Sequence, residues 1–421
     1  MLTALRSFAI GPVTAILIIT FLTQETQGFY YYFRSLLGFG AAAEFGMTGM
    51  LVPLVSHEWT HLRYERGRLP EGSAESLARW TSLTRSIMRF YVLVGPLLGT
   101  VLFLVAYHNL PSTSVNWQMA WICTCLLSVV EFSIRPLLSM LEGCQQVAAA
   151  FRIRLWQGLI ASVVLWCVLA NGGGLWCLPA SLLATALLGL APLVEYPEIF
   201  RAFWIQSEGE SIGWWREIWP MQWRLGLAAL CANGASSLVV PIVFHLCGPT
   251  EAGRFGLSLV LCQIVATLTS VWVQTKSARL ARLVALGESG ELHRTLYQTL
   301  LIGSAAGIVS AMAAECGVAL LHLIHSKYAD RMLGEFPSAI LLLAAVVSSF
   351  HAPLAFYLRA HRFEPYLGTS LLSATLTLIL TWWLASQYGV VGGCWAQLAA
   401  GLIILPPTFW IWYRFRRERY R

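Results

Sequence analysis

Apolar runs of roughly 18 to 25 residues, the length a helix needs to cross about 30 Å of hydrocarbon, recur about twelve times along the chain. They lie near 8–26, 36–55, 87–107, 117–139, 154–171, 175–194, 219–245, 254–275, 297–322, 337–358, 366–385 and 390–412. Polar segments between them are short, so the pattern predicts an all-α membrane protein of about twelve transmembrane helices. The run from Phe8 to Leu22 lacks a small-residue cleavage site and reads as the first anchor rather than a signal peptide.

Composition agrees with the pattern. The 421 residues are 57% hydrophobic and 12% charged, about half the charged fraction of a soluble domain. Basic residues sort by side, as the positive-inside rule requires. One set of connections holds Arg63, Arg66, Arg68, Arg79, Arg85, Arg152, Arg154, Arg201, Arg216, Lys276, Arg279, Arg282, Arg294, Arg359 and Arg362, and the C-terminal "RFRRERYR" falls on the same side. The opposite connections hold only Arg34, Arg254, Lys327 and Arg331. A cytoplasmic location for both termini follows. The net charge of +7 is thereby a matter of topology and acidic lipid contact, not of nucleic acid. Short outer loops leave no room for the outer domain that a polysaccharide polymerase or glycosyltransferase would need. The ten cysteines show no regular spacing and read as small buried apolar groups.

The halves share wording. "ETQGFYYYF" opens the second span and "TEAGRFGLS" the eighth; the inner loops "ERGRLPEGSAESLAR" and "ALGESGELHR" follow, at an offset of about 220 residues. Two six-helix bundles of common plan are expected, a transporter pattern with the substrate site between repeats. The division is 1–200, a linker at 201–218, and 219–421.

Ionisable groups inside a bilayer are costly and mark candidate sites. Glu44, in "AAAEFGMTG", lies about 12 Å from the outer edge if its span begins near 36; it reads either as an interhelical contact among small residues or as an ion- or proton-coupling group. Glu131 and Arg135 stand four apart on one helix face, as a self-contained pair or with Arg135 shared with an anionic substrate. Arg89 and Arg224 fall at comparable depth to Arg135. They either snorkel to the cytoplasmic surface or complete a cationic pocket suited to phosphate, which guanidinium grips bidentately. "CANGASS" with Pro241, and Pro96 and Pro353 elsewhere, weaken helices at depths where bending serves alternating access.

His57-Glu58-Trp59-Thr60-His61 satisfies H-E-x-x-H, the zinc-protease pattern. It lies at the inner end of the second span, however. Asp330, the only aspartate, falls in an outer loop, and Glu71 and Glu75 sit in a short polar loop. No metal or cofactor is expected; the motif reads as an interfacial helix with Trp59 at the headgroups, and His57 and Glu58 as gating residues that latch the inner edge.

The run "LTQETQGFYYYFRSLLGFGAAAEFGMTGMLVPLVSHEWTHL", with "EIWPMQWRLGLAAL" and "GPTEAGRFGLSL…VWVQTKSARLARLVALGESGELHR", resembles bacterial polysaccharide-export proteins of the O-antigen flippase type. These belong to the multidrug/oligosaccharidyl-lipid/polysaccharide exporter superfamily. The resemblance covers about the first 300 residues and implies two six-helix lobes around a central cavity in a bacterial inner membrane. It implies flipping of a polyprenyl-diphosphate-linked oligosaccharide to the periplasmic leaflet, with no enzymatic chemistry. Under it Arg89, Arg135 and Arg224 become diphosphate ligands, and Glu44 and Glu131 coupling or gating carboxylates. The expected partners are the lipid-linked substrate, membrane lipids and other polysaccharide-assembly proteins. Export of a small cationic or amphipathic compound is the rival, which would favour acidic and aromatic cavity walls.

Overall fold

The computed structural model describes residues 2–110, 115–201, 212–326, 328–361 and 366–419. Most of the expected linker, together with Lys327 and Arg362, therefore lies outside the described residues. Helices dominate: α1 (Leu2–Phe21), α2 (Gln24–Leu37), α3 (Phe39–Ala43), α4 (Met47–Trp59), α5 (Ala74–Asn109), α6 (Gln118–Ile134), α7 (Pro136–Gly143), α8 (Val147–Ala170), α9 (Cys177–Gly189), α10 (Ala191–Glu195) and α11 (Pro197–Arg201). After 211 come α12 (Trp219–Ala229), α13 (Ala235–Cys247), α14 (Pro249–Leu286), α15 (Ser289–Leu323), α16 (Glu335–Ser349), α17 (His351–Ala360) and α18 (Leu367–Arg419). Among the described residues eight helical stretches are long and apolar enough to cross a membrane, and Ile10–Phe21 and Ala235–Cys247 are shorter apolar helices. Gly389, at φ 61 and ψ −146, breaks α18 in two.

Local chemistry sets the ends. The Ser73 hydroxyl accepts from the Ser76 N–H and caps α5. Pro249 opens α14, and Gly287, left-handed at φ 73, closes it. Outward faces are as apolar as inward ones: on α8, Val147, Phe151, Trp156, Ile160 and Val163 are exposed, as lipid requires.

Two differences from the sequence reading matter. The helical run that leads into the second span begins at Gln24, in the aromatic and polar α2, ahead of the apolar stretch that starts near 36. Secondly, the polar loop that holds Glu71 pairs as a short antiparallel ribbon, β1 (Leu62–Arg63) against β2 (Glu71–Gly72).

The chain forms two compact units, 36–234 and 1–35 with 235–421. They divide the chain differently from the contiguous halves 1–200 and 219–421. Within the discontinuous unit the reason is local. The paired glycines of "ETQGFYYYF" and "TEAGRFGLS" meet: a Cβ on Gly28 would lie 1.9 Å from the Pro249 carbonyl oxygen, and one on Gly253 2.9 Å from the Gly28 nitrogen. Gln27 donates to the carbonyls of Gly253 (3.0 Å) and Arg331 (3.1 Å), and Phe29 and Tyr32 pack on Phe244 at 5.2 and 4.8 Å. A buried cluster of Leu280, Leu292, Leu296, Tyr357, Leu358 and Trp412 fills the same unit farther along α14, α15, α17 and α18.

Gly28→Ala should lower the thermal midpoint in detergent by more than Gly253→Ala. The first methyl meets backbone that cannot turn aside, at a cost on the order of 1–3 kcal/mol; equal midpoints for the two variants would contradict the close crossing.

Candidate functional site

The unit 36–234 holds all seven residues singled out from sequence. At its centre Arg135 binds two carboxylates. Arg135 Nε donates to Glu131 Oε1 at 3.1 Å and Nη2 to Glu131 Oε2 at 2.6 Å, while Nη1 donates to Glu44 Oε1. The pair read from i,i+4 spacing is thus a bidentate fork, and Glu44, 91 residues away, is its third member. Sharing one guanidinium places Glu44 and Glu131 at one depth, which corrects the outer placement of Glu44.

Backbone features aim these groups. Arg135 stands at the junction of α6 and α7, where Pro136 starts the second helix. Glu44 follows α3 at a break in which Phe45 (φ 49) and Gly46 (φ 73) are left-handed. Gly46 also touches α12: a Cβ there would meet Leu225 and Gly226 at 2.7 Å, and a Cβ on Gly226 would meet the Phe45 ring at 2.2 Å. The strained turn that positions Glu44 is the contact that seats α12.

Beside the triad lies a cavity of about 470 Å³, lined among others by Glu131, Arg135, Ser139, Glu142, Arg154 and Gln157. Its far wall carries a second ion pair: Arg154 donates to Glu142 at 2.5 Å and to the Ser139 hydroxyl at 3.3 Å. Sequence reading assigned Arg154 to a cytoplasmic loop and passed over Glu142. The signal was their position astride the tight turn between α7 and α8. With Arg135 and Arg154 against Glu131, Glu142 and Glu44, the cavity wall offers no uncompensated positive charge.

Arg89 and Arg224 differ. Both are exposed, and neither forms an ion pair with a described residue. Arg224 lies over the Trp223 ring at 5.5 Å, and Phe90, next to Arg89, stacks on Trp214 at 6.0 Å. No hydrogen bond or ion pair among the described residues joins Arg89, Arg135 and Arg224 into one cluster.

At the end of α4, the zinc pattern dissolves into an ion-pair network. Glu58 is buried and accepts from Arg79 Nε and Nη2, both at 3.3 Å, and Arg79 Nη2 also reaches Glu217 at 2.9 Å. His57 and His61 have ring centroids 5.9 Å apart, and α4 ends at Trp59, so the two imidazoles do not share a continuous helix. Among the described residues no group of three His, Cys, Asp or Glu could hold a metal. Trp59, expected at the headgroups, is 4% exposed and packs on Trp80 at 5.2 Å. A cavity of about 300 Å³ lies here, lined by Met50, Pro53, Leu54, His57, Glu58 and Glu217 among others. The segment before α12 is tied down by Ile212 N–H to Ser82 (3.0 Å) and Gly213 N–H to Glu217 (2.9 Å). That amide first, then Arg79, holds the Glu217 carboxyl below its usual range.

The ribbon is anchored similarly. Glu198 on α11 accepts from Tyr64 Oη at 2.6 Å and Gly67 N–H at 3.1 Å. Burial opposes its ionisation, but the Tyr64 hydroxyl, backbone amides of Glu198 and Gly67, and nearby Arg66 outweigh burial and lower its pKa.

Long apolar helices, breaks within spans and ion pairs inside the bundle define a multi-pass membrane protein. No known family profile matches the sequence, and no curated protein matches it significantly. Solved structures do. The lipid II flippase MurJ in an inward closed conformation is 12% identical over 96% of this chain and 85% of its own, with a TM-score of 0.68. An inward-facing multidrug resistance MATE family transporter of the MOP superfamily gives 10% identity, 98% and 96% coverage and 0.62. A MOP superfamily transporter from Pyrococcus furiosus gives 12%, 98% and 95%, and 0.57. The chain has the fold of these proteins.

Two tests follow. Arg135→Leu leaves two carboxylates facing each other and should cost on the order of 2 kcal/mol, less than a fully buried pair because the Arg135 side chain is about a third exposed; adding Glu44→Gln and Glu131→Gln should recover most of it in thermal melts, and failure to recover would exclude charge imbalance as the cause. For Glu198, a lowered folded-state pKa contributes stability that is present above the ordinary value of 4.5 and is lost as pH falls through the folded value. Hydrogen exchange at residues 61–72 should therefore stay slow from neutral pH down to the ordinary carboxyl value of 4.5 and accelerate as pH falls below it, after correction for intrinsic rates. Glu198→Gln should remove that step.

Proposed function

We propose that this chain moves a polyprenyl-diphosphate-linked oligosaccharide from the cytoplasmic to the periplasmic leaflet of a bacterial inner membrane by alternating access, with both termini cytoplasmic. In this reading it serves cell-surface polysaccharide synthesis, such as O-antigen or lipopolysaccharide assembly, beside other assembly proteins. Likeness to the MurJ flippase supports the class of cargo, but the observation that carries the reading is charge. Each carboxylate beside the two cavities has an arginine partner, whereas Arg89 and Arg224 are exposed cations that form no ion pair with a described residue. A diphosphate complements them; a cationic drug does not.

Within the proposal the halves 1–200 and 219–421, joined by 201–218, act as two functional lobes. Arg89 and Arg224 hold the diphosphate, and Arg135 joins them by exchanging one carboxylate for phosphate. Glu44 and Glu131 are the gating or coupling carboxylates that Arg135 releases. His57 and Glu58 gate the inner edge, with Arg79 as the opposing half of that latch.

The test is reconstitution in liposomes with a fluorescent polyprenyl-diphosphate sugar, with leaflet transfer read by quencher access. Arg89→Ala and Arg224→Ala should each slow transfer about tenfold, the worth of one charged contact of roughly 1.4 kcal/mol. Transfer at the parental rate in both variants would overturn the site, and efflux of a cationic dye without lipid transfer would favour the multidrug reading.

A further inference from the structure

Gln222 is wholly buried, and neither its Nε2 nor its Oε1 meets a hydrogen-bond partner among the described residues. Gln27, also buried, at least donates twice through its amide nitrogen. A buried amide with no protein partner is costly, so it calls for a ligand or a second state that uses it.

Its helix supplies such a state. α12 has only 11 residues and is framed by π-helical turns at Trp214–Ile218 and Leu230–Gly234. A π-turn carries one residue more than an α-turn. Converting one to the other rotates the adjoining helix by about 100° and shifts it by about 1.5 Å. Ile218, Gln222 and Gly226 make the buried stripe of α12, while Trp223 and Arg224 are exposed. A one-residue rotation takes Gln222 toward the arc they now occupy.

The first π-turn is also held by side chains. Glu217 accepts from the Gly213 N–H and from Arg79, and Arg79 is held in turn by Glu58. Opening this clamp frees the turn to change register.

We infer that α12 is a rotating segment, clamped by Arg79 and Glu217, whose rotation delivers the Gln222 amide to a polar, uncharged group of the transported molecule. An amide offers a donor and an acceptor together, which matches a sugar hydroxyl; the phosphates complement the arginines. The identity of that ligand rests on the proposed lipid-linked cargo, but the rotation does not.

Three readouts test it. Gln222→Leu removes the unbonded polar group and should raise the thermal midpoint while slowing transfer of the polyprenyl-diphosphate sugar about tenfold. A raised midpoint with parental transfer would reduce Gln222 to a structural blemish and overturn its ligand role. In membranes, Gln222→Cys should react with a maleimide at least about tenfold more slowly than Trp223→Cys, with labelled peptides identified by mass. Adding Arg79→Ala should bring the two rates together. Equal rates from the start, or a gap that survives Arg79→Ala, would refute the clamped rotation. An Arg79-dependent gap in a protein that transfers no lipid-linked sugar would support the rotation and reject the cargo.

Discussion

A guanidinium that bridges two carboxylates can release one only if that carboxylate takes up a proton or finds another cation. Arg135 is in that position, and much of the 36–234 unit follows from it. Glu131 reaches it from the same helix, one turn back. Glu44 reaches it only because the chain leaves α3 through two left-handed residues, Phe45 and Gly46. A break of that kind, free backbone groups included, is tolerable in a membrane span when side chains and a neighbouring helix fix it. Glu44 provides the first and α12 the second, through the close approach of Gly46 and Gly226. The ion triad and the helix crossing thus stabilise one another.

How much of this was legible beforehand divides along sequence distance. Hydropathy reports the spans because a bilayer demands length and apolarity of every segment alike. It passes over α2 because Tyr30, Tyr31 and Tyr32 are buried within protein, where an aromatic, polar helix is as stable as an aliphatic one. The Glu131–Arg135 pair was visible because helix geometry makes neighbours of residues four apart. Glu44 with Arg135, Glu58 with Arg79 and Glu217, and Tyr64 with Glu198 were not, since each joins elements whose approach only the fold decides. Gly28 and Gly253 form an instructive middle case. Repeat comparison matched them as equivalent positions, but nothing in the matching said that equivalents would touch.

The H-E-x-x-H segment shows how a motif loses its chemistry to its surroundings. Two imidazoles and a carboxylate make a zinc site only if the carboxylate is free to act as a base and the helix continues through both histidines. Here α4 stops at Trp59, and Glu58 is already committed to Arg79. What the residues do instead is mechanical: a buried carboxylate ties the end of α4 to α5 and, through Arg79, to the approach of α12.

Fold similarity at 10 to 12% identity fixes the plan of such a protein but not its cargo, because flippases and drug exporters share that plan. Cargo is decided by which polar groups the protein leaves without partners. An ion pair satisfied within the bundle serves architecture, and its removal is felt as stability. A cation or amide that the bundle does not satisfy has been retained against a cost, and its partner must come from elsewhere. By that criterion Arg135 and Arg154 belong first to the scaffold, while in the proposed function Arg89, Arg224 and Gln222 carry recognition. If those three groups meet the transported molecule, as proposed, two cations and one neutral amide are a poor receptor for a cationic drug and a good one for an anion that bears sugar.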